Sequence, residues 1–204
     1  MNILTDALVE ELVIDGIAYS IDTDFRNCLR IMLAFEDTEL TDAEKQMIML
    51  YNLFGDQIPD NVEAAIKEAI TFLDGNLVDY QAGTKGKGVR LFSWKKDATF
   101  IFAAFRQTHS IDLSEAQMHW HKFMALFMDL GSQTTFCQLV SFRDRLASGK
   151  ASSDEKRAAQ ELGEIVEVQY IDTRTLEEKE TMDNFYKLYE EGLRVRENGK
   201  SNKS

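Results

Sequence analysis

The sequence predicts a mainly α protein, a helical bundle with a small β-hairpin at its N-terminus. Three observations carry that prediction. A single proline, Pro59, interrupts 204 residues, which favours long helices over a turn-rich β architecture. Apolar residues recur at three- and four-residue spacing through most of the chain, the period of a helix with one buried face. Near the start, two short β-prone runs flank Asp15-Gly16, a pair suited to the two-residue turns that close hairpins.

The hairpin is read near residues 9–21, from VEELVI and IAYSI. Phe25, Leu29, Met32 and Phe35 then mark a helix with Thr23 or Asp24 as its N-cap. Thr41 and Glu44 spell a capping box, in which the hydroxyl accepts from the Glu44 amide and the carboxylate reaches back. The helix it opens is read to bury Met47, Ile48, Leu50, Tyr51 and Phe54 and to stop at Gly55. A third helix begins near Asp60, buries Val62, Ile66, Ile70 and Leu73, and ends at Asp74-Gly75.

Residues 81–90, QAGTKGKGVR, hold three glycines in six positions and read as a linker between two helical halves. Gly88 is followed by Val89-Arg90, so the glycines do not spell a Walker phosphate loop. The basic residues Lys85, Lys87, Arg90, Lys95 and Lys96 leave an anion-binding loop as the lesser reading. A short strand at VRLFSW and helices at about 97–109, 115–130 and 133–146 follow. Ser114 with Gln117 suggests a second capping box, and Gly131 a helix stop. Another helix is read from Asp154, with Ala158, Leu162, Ile165, Val166 and Gln169 on one face. A last one carries Met182, Phe185, Tyr186, Tyr189 and Leu193. The organisation is therefore a hairpin-plus-helices segment (1–80), the linker (81–90), a central helical region (91–148) and acidic C-terminal helices (149–204).

The formal net charge is −12 and the isoelectric point about 4.7. Affinity for nucleic acid comes largely from neutralising phosphates, so neither nucleic acid nor an anionic membrane is an expected partner. Residues 152–191 alone hold 12 Asp/Glu against 5 Lys/Arg. No apolar run approaches the length of a spanning helix, and the first residues lack a signal-peptide pattern. A soluble intracellular protein is expected. Cys28 and Cys137 fall among apolar helical positions and read as buried free thiols.

The stretch MHWHKF, residues 118–123, poses the sharpest chemical question. On a helix starting near 115, Ala116, Trp120, Phe123, Phe127 and Leu130 share the apolar face. His119 would sit at its edge and His121 would point nearly the opposite way, toward solvent, because residues two apart are separated by ~200°. The two could not chelate one metal, which needs a spacing such as i, i+4. His109 adds no ligand pattern. No metal or cofactor is expected. No nucleophile elbow, zincin motif or local Cys-His pairing is present, so no enzyme is expected either.

Ser93-Trp94 is followed by Asp97-Ala98, by Ile101 and Phe105, and by Ile111-Asp112-Leu113. Then come His119-Trp120, Lys122-Phe123 and Ala125-Leu126-Phe127. In this order the run resembles the "gene product fifteen" family of Gram-positive siphophages and prophages, over roughly residues 9–147. Two positions depart from the family pattern. His121 stands in place of a second tryptophan, suggesting an exposed position, and Ser110 in place of a glycine, suggesting a loosened turn.

Family genes usually lie just before the tape-measure gene. The resemblance thus implies a tail-assembly role, as a tail assembly chaperone acting in the host cytoplasm on the tape-measure protein, with the tail tube protein as a second partner. The alternative is a structural minor tail component retained in the virion. Self-association into a homo-oligomer is compatible with either. Trp94, Phe100, Phe105, His119, Trp120, His121, Phe123, Met124 and Phe127 are the residues expected to form either the partner surface or the core behind it.

Overall fold

The structure is a computed structural model that describes residues 3–74, 89–167 and 169–170. The described residues up to Gln169 belong to one compact unit. The expected helix around residues 182–193 and most of the glycine-rich linker lie outside the described residues.

Strands β1 (Glu11–Ile14) and β2 (Ile17–Ser20) form the expected antiparallel hairpin, with Leu12 opposite Tyr19 and Val13 opposite Ala18. Asp15 and Gly16 both take positive φ, 51° and 82°, as the tightest hairpin turn demands. Leu12 and Ile14 face the core while Glu11 and Val13 face out. Asn61 anchors the hairpin tip: its amide donates to Asp15 Oδ2 (2.9 Å), and its carbonyl oxygen accepts from the Ala64 amide (3.1 Å).

Helix α1 (Phe25–Glu36) is capped by Asp24, whose carboxylate accepts from the Arg26 amide. It buries Phe25, Asn27, Cys28 and Ile31, while Phe35 is exposed. Helix α2 (Asp42–Phe54) opens on the Thr41–Glu44 capping box and closes at Gly55, whose φ is 59°. Its buried face is Met49, Leu50, Leu53 and Phe54, and the expected core residues Met47 and Tyr51 are 54% and 62% exposed. Residues 47–51 are all apolar, so periodicity alone could not choose the face. The Asn27 amide, donating to the Asn52 carbonyl, helps fix the rotation of α2 against α1.

Helix α3 (Val62–Asp74) buries Ala65, Ala69, Phe72 and Leu73 and leaves Val62 and Ile70 exposed, contrary to the sequence reading. Its inner face is set by two small residues one turn apart, which lets a neighbour approach closely. Size was the wrong guide there.

A two-residue strand, β3 (Val89–Arg90), precedes α4 (Ala98–His109), α5 (Trp120–Met128), α6 (Thr135–Ala147) and α7 (Ser153–Leu162); β4 (Gln169–Tyr170) follows. Helix α5 starts five residues later than its pattern suggested. The Ser114 hydroxyl does not cap a helix, because it and the Ser114 amide both donate to Asp112 Oδ1 and are spent in a turn. Gly131 is no left-handed stop. Its amide donates to Thr108 Oγ1 (3.1 Å), and a Cβ there would come within 3.4 Å of that oxygen. Helix α7 opens on a Ser152–Glu155 capping box and ends at Gly163, so Ile165, Val166 and Gln169 do not extend its face. Val166 is nevertheless buried, whereas Leu162 and Ile165 are exposed.

One core joins the segments on either side of the linker. Leu12, Ile31, Met49, Leu53, Phe72, Ile101, Phe105, Phe123 and Phe136 belong to a single hydrophobic cluster. Among the described residues no helix is long and apolar enough to cross a membrane.

Candidate functional site

The expected site residues converge, but inward. Phe123, fully buried, is the hub of an aromatic seam. It stacks on Phe25 (centroids 4.9 Å), Phe105 (5.0 Å) and Trp120 (5.6 Å). Trp94 and Phe127 meet at 4.8 Å, and Phe92 packs against both. Phe127 also meets Phe136 at 5.5 Å. Phe105, Trp120, Phe123 and Phe127 are buried; Trp94, Phe100 and Met124 are half-buried and packed against the same cluster. The seam holds α1, α4, α5, α6 and the 91–97 loop together.

The histidines are placed differently from expectation. His119 lies outside the helix as the N-cap of α5. Its Nδ1 accepts from the His121 amide (3.0 Å), and its Nε2–H donates to the Val9 carbonyl (2.8 Å). One ring nitrogen must therefore be bare and the other protonated. His121, read as exposed, is only 7% exposed. Its Nε2 bonds the Phe72 carbonyl (2.9 Å), and beside it Trp120 Nε1–H donates to the Leu73 carbonyl (2.8 Å). The error came from the helix start. Both sides of the first turn of α5 are covered, one by the aromatic seam and the other by the end of α3. Burial pushes the His121 imidazole below its ordinary pKa, and the nearby His119 adds to that. His109 Nε2 bonds the Leu126 carbonyl (2.9 Å). Among the described residues no group of three or more His, Cys, Asp or Glu is placed to hold a metal ion.

A second cluster was not legible in the sequence. Glu36, at the end of α1, accepts from the Ser93 hydroxyl (2.8 Å) and the Trp94 amide (2.8 Å), and pairs with Arg90 (2.9 Å). Asp97, just ahead of α4, pairs in two-pronged fashion with Arg143 of α6 (2.6 and 3.0 Å) and accepts from the Ser93 amide (2.9 Å). Arg143 also donates to the carbonyls of Leu91 and Ile165. A cavity of about 10 Å³ beside it, lined by Arg90, Ser93, Lys96 and Glu167 among others, has room for one water. Positions 36, 97 and 143 are too far apart in the chain for any spacing to reveal them. These carboxylates spend their lone pairs on amides and guanidinium groups, which suits a latch rather than proton transfer.

Both cysteines are free, and Cys28 is buried as read. Burial, reinforced by Asp22 and Asp24, pushes the Cys28 thiol far up, which suppresses the reactive thiolate. Cys137 is half-buried, its thiol directed at the Leu130 carbonyl.

A turn completes the set. Ser110 caps α4 in the left-handed region, with φ 59°, a conformation that favours glycine. After it, Asp112 is held below the usual carboxylate range by the Ser114 hydroxyl and amide, with Arg106 adding to them. Arg26 of α1 donates to the Leu113 and Ser114 carbonyls, tying this turn to the N-terminal half.

The sequence profile described as Bacteriophage Gp15 protein matches residues 4–168. The chain belongs to the Bacteriophage Gp15 family. Membership makes it a phage protein of the structural or assembly type. The match covers nearly all of the compact unit, including the seam, the histidine segment and the ionic latch. No curated protein and no solved structure matches the chain significantly.

With the expected residues serving the interior, the exposed apolar side chains lie elsewhere in this Gp15 family member. Met47 and Tyr51 are exposed one turn apart on α2, Val62 and Ile70 about two turns apart on α3, Phe102 on α4, and Val13 and Ile17 on the hairpin. The sequence reading placed the first four in the core.

Proposed function

We propose that this Gp15 family member is a tail-assembly factor of a Gram-positive siphophage or prophage that works without catalysis, as a tail assembly chaperone for the tape-measure protein. A tape measure is a very long helical chain whose apolar stripes need covering before the tube encloses it. The observation that carries the reading is the chain's surface. Large apolar side chains, Met47 and Tyr51 foremost, stand exposed on helices of a protein with net charge −12. Exposed apolar side chains on a helix face suit a helical client, and the high net charge keeps a coated complex dispersed. The aromatic motif then serves as the scaffold that holds those helices, not as the contact itself.

Coexpression with the tape-measure protein of the same phage tests the reading. The tape measure should move from the pellet to the soluble fraction in a stable complex, and Met47→Ser with Tyr51→Ser should weaken that complex while the protein stays folded. A tape measure that remains insoluble, with no complex at low or moderate salt, refutes it.

A further inference from the structure

We propose that His119, Trp120 and His121 form an acid-releasable clasp, which holds the N-terminal arm, the start of α1 and the end of α3 onto α5 only while both imidazoles are neutral. The segment reaches three distant parts of the chain in three residues. His119 Nε2 holds the Val9 carbonyl (2.8 Å), and the Trp120 amide donates to the Thr23 carbonyl (2.7 Å). Next to these, the Phe25 amide donates to the Met118 carbonyl (3.0 Å). Trp120 Nε1 and His121 Nε2 bond carbonyls in the last turn of α3, Leu73 and Phe72.

The sensitivity follows from hydrogen-bond polarity. The His119 Nδ1 lone pair caps α5 by accepting from the His121 amide at 3.0 Å. An imidazolium has donors at both nitrogens, so protonation would set N–H against N–H at that distance. His121 has its Nδ1 buried with no protein partner, and a proton there would place a charge on a buried ring packed against Phe72. The rings are 5.0 Å apart, so a charge on His119 opposes charging His121.

The charged groups on the surrounding elements do not offer a ready counter-ion. Asp24 is turned to the Arg26 amide and lies 3.8 Å from its guanidinium, and Asp22 accepts from the Asp24 amide. Glu10 on the arm, Asp74 at the end of α3 and Lys122 on α5 are solvent-exposed. The aromatic seam does not titrate, so it remains when the clasp opens.

Hydrogen exchange on the full chain tests this, with protection factors compared between about pH 7.5 and about pH 5.5, across the histidine range. Protection at residues 118–123 and 9–12 should fall at least about tenfold in acid, the order expected for a lost cap and its companion bonds, while residues 49–54 of α2 keep theirs. The double variant His119→Asn, His121→Phe should show no such fall, because asparagine caps α5 at either pH and neither substituted position titrates. Imidazole nitrogen shifts on the wild-type chain give a second readout. They should report a bare Nδ1 at His119 in neutral solution, and imidazolium should form at the pH where protection is lost. Acid loss that persists in the double variant overturns the proposal. So does loss shared equally by α2, or imidazolium formation with protection intact.

Discussion

Removing one partner of the Asp97–Arg143 pair should be among the most damaging single changes in this fold. Their side chains are 2% and 3% exposed, and two bonds of 2.6 and 3.0 Å join them. With Asp97→Ala, the guanidinium stays buried and keeps only the Leu91 and Ile165 carbonyls. The Ser93 amide loses its acceptor as well. An uncompensated buried charge costs about 3–5 kcal/mol, a large share of the ~5–15 kcal/mol available to a domain. Arg143→Met strands the carboxylate instead and should cost a similar amount. The double variant, with no buried charge left, should cost several kcal/mol less than the sum of the singles, because apolar replacement of a buried pair is often tolerated. Urea unfolding of the four proteins closes the cycle. If each single variant loses under ~1 kcal/mol, the pair is solvated and the 91–97 loop is not held as described.

Other substitutions separate scaffold from surface. Phe123→Ala should cost about 3–5 kcal/mol in the same assay, whereas Met47→Ser and Tyr51→Ser should stay within ~0.5 kcal/mol. Ser110→Gly, which restores the residue suited to a φ of 59°, should raise stability by about 0.5–1 kcal/mol; a loss would mean the serine hydroxyl contributes more than the backbone strain. His121 is held below its ordinary pKa of 6.5. The unfolded chain therefore binds a proton that the native chain refuses. Stability from this group is complete above about pH 6.5 and falls as pH drops from there toward the lowered native value. His121→Phe should flatten that part of the melting-temperature profile, and an unchanged slope would place the acid sensitivity elsewhere.

Much of the architecture was legible because it is written locally. Asp15-Gly16 permits little but a tight turn, Thr41 with Glu44 satisfies two helix-end donors at once, and Gly55 ends α2 where a left-handed residue is needed. Faces were less legible. Five consecutive apolar residues at 47–51 fit several rotations of α2, and Ala65 and Ala69 carry the inner face of α3 despite their small size. The start of α5 was misplaced because Ser114 has two uses, capping a helix or closing a turn on Asp112, and only the tertiary setting chooses. That one displacement put His121 on the wrong side. The resemblance drew notice to Ser93 and Asp97 but not to their partners. Glu36 and Arg143 meet them only after the chain has folded.

In the proposed role this protein escorts the tape measure and then leaves. Quantitative mass spectrometry of tail intermediates and of purified virions from one infection separates escort from component. The protein should be found in complex with the tape measure before the tube assembles and be absent from mature particles. A fixed copy number in virions would refute the escort role and make the protein a structural component of the tail.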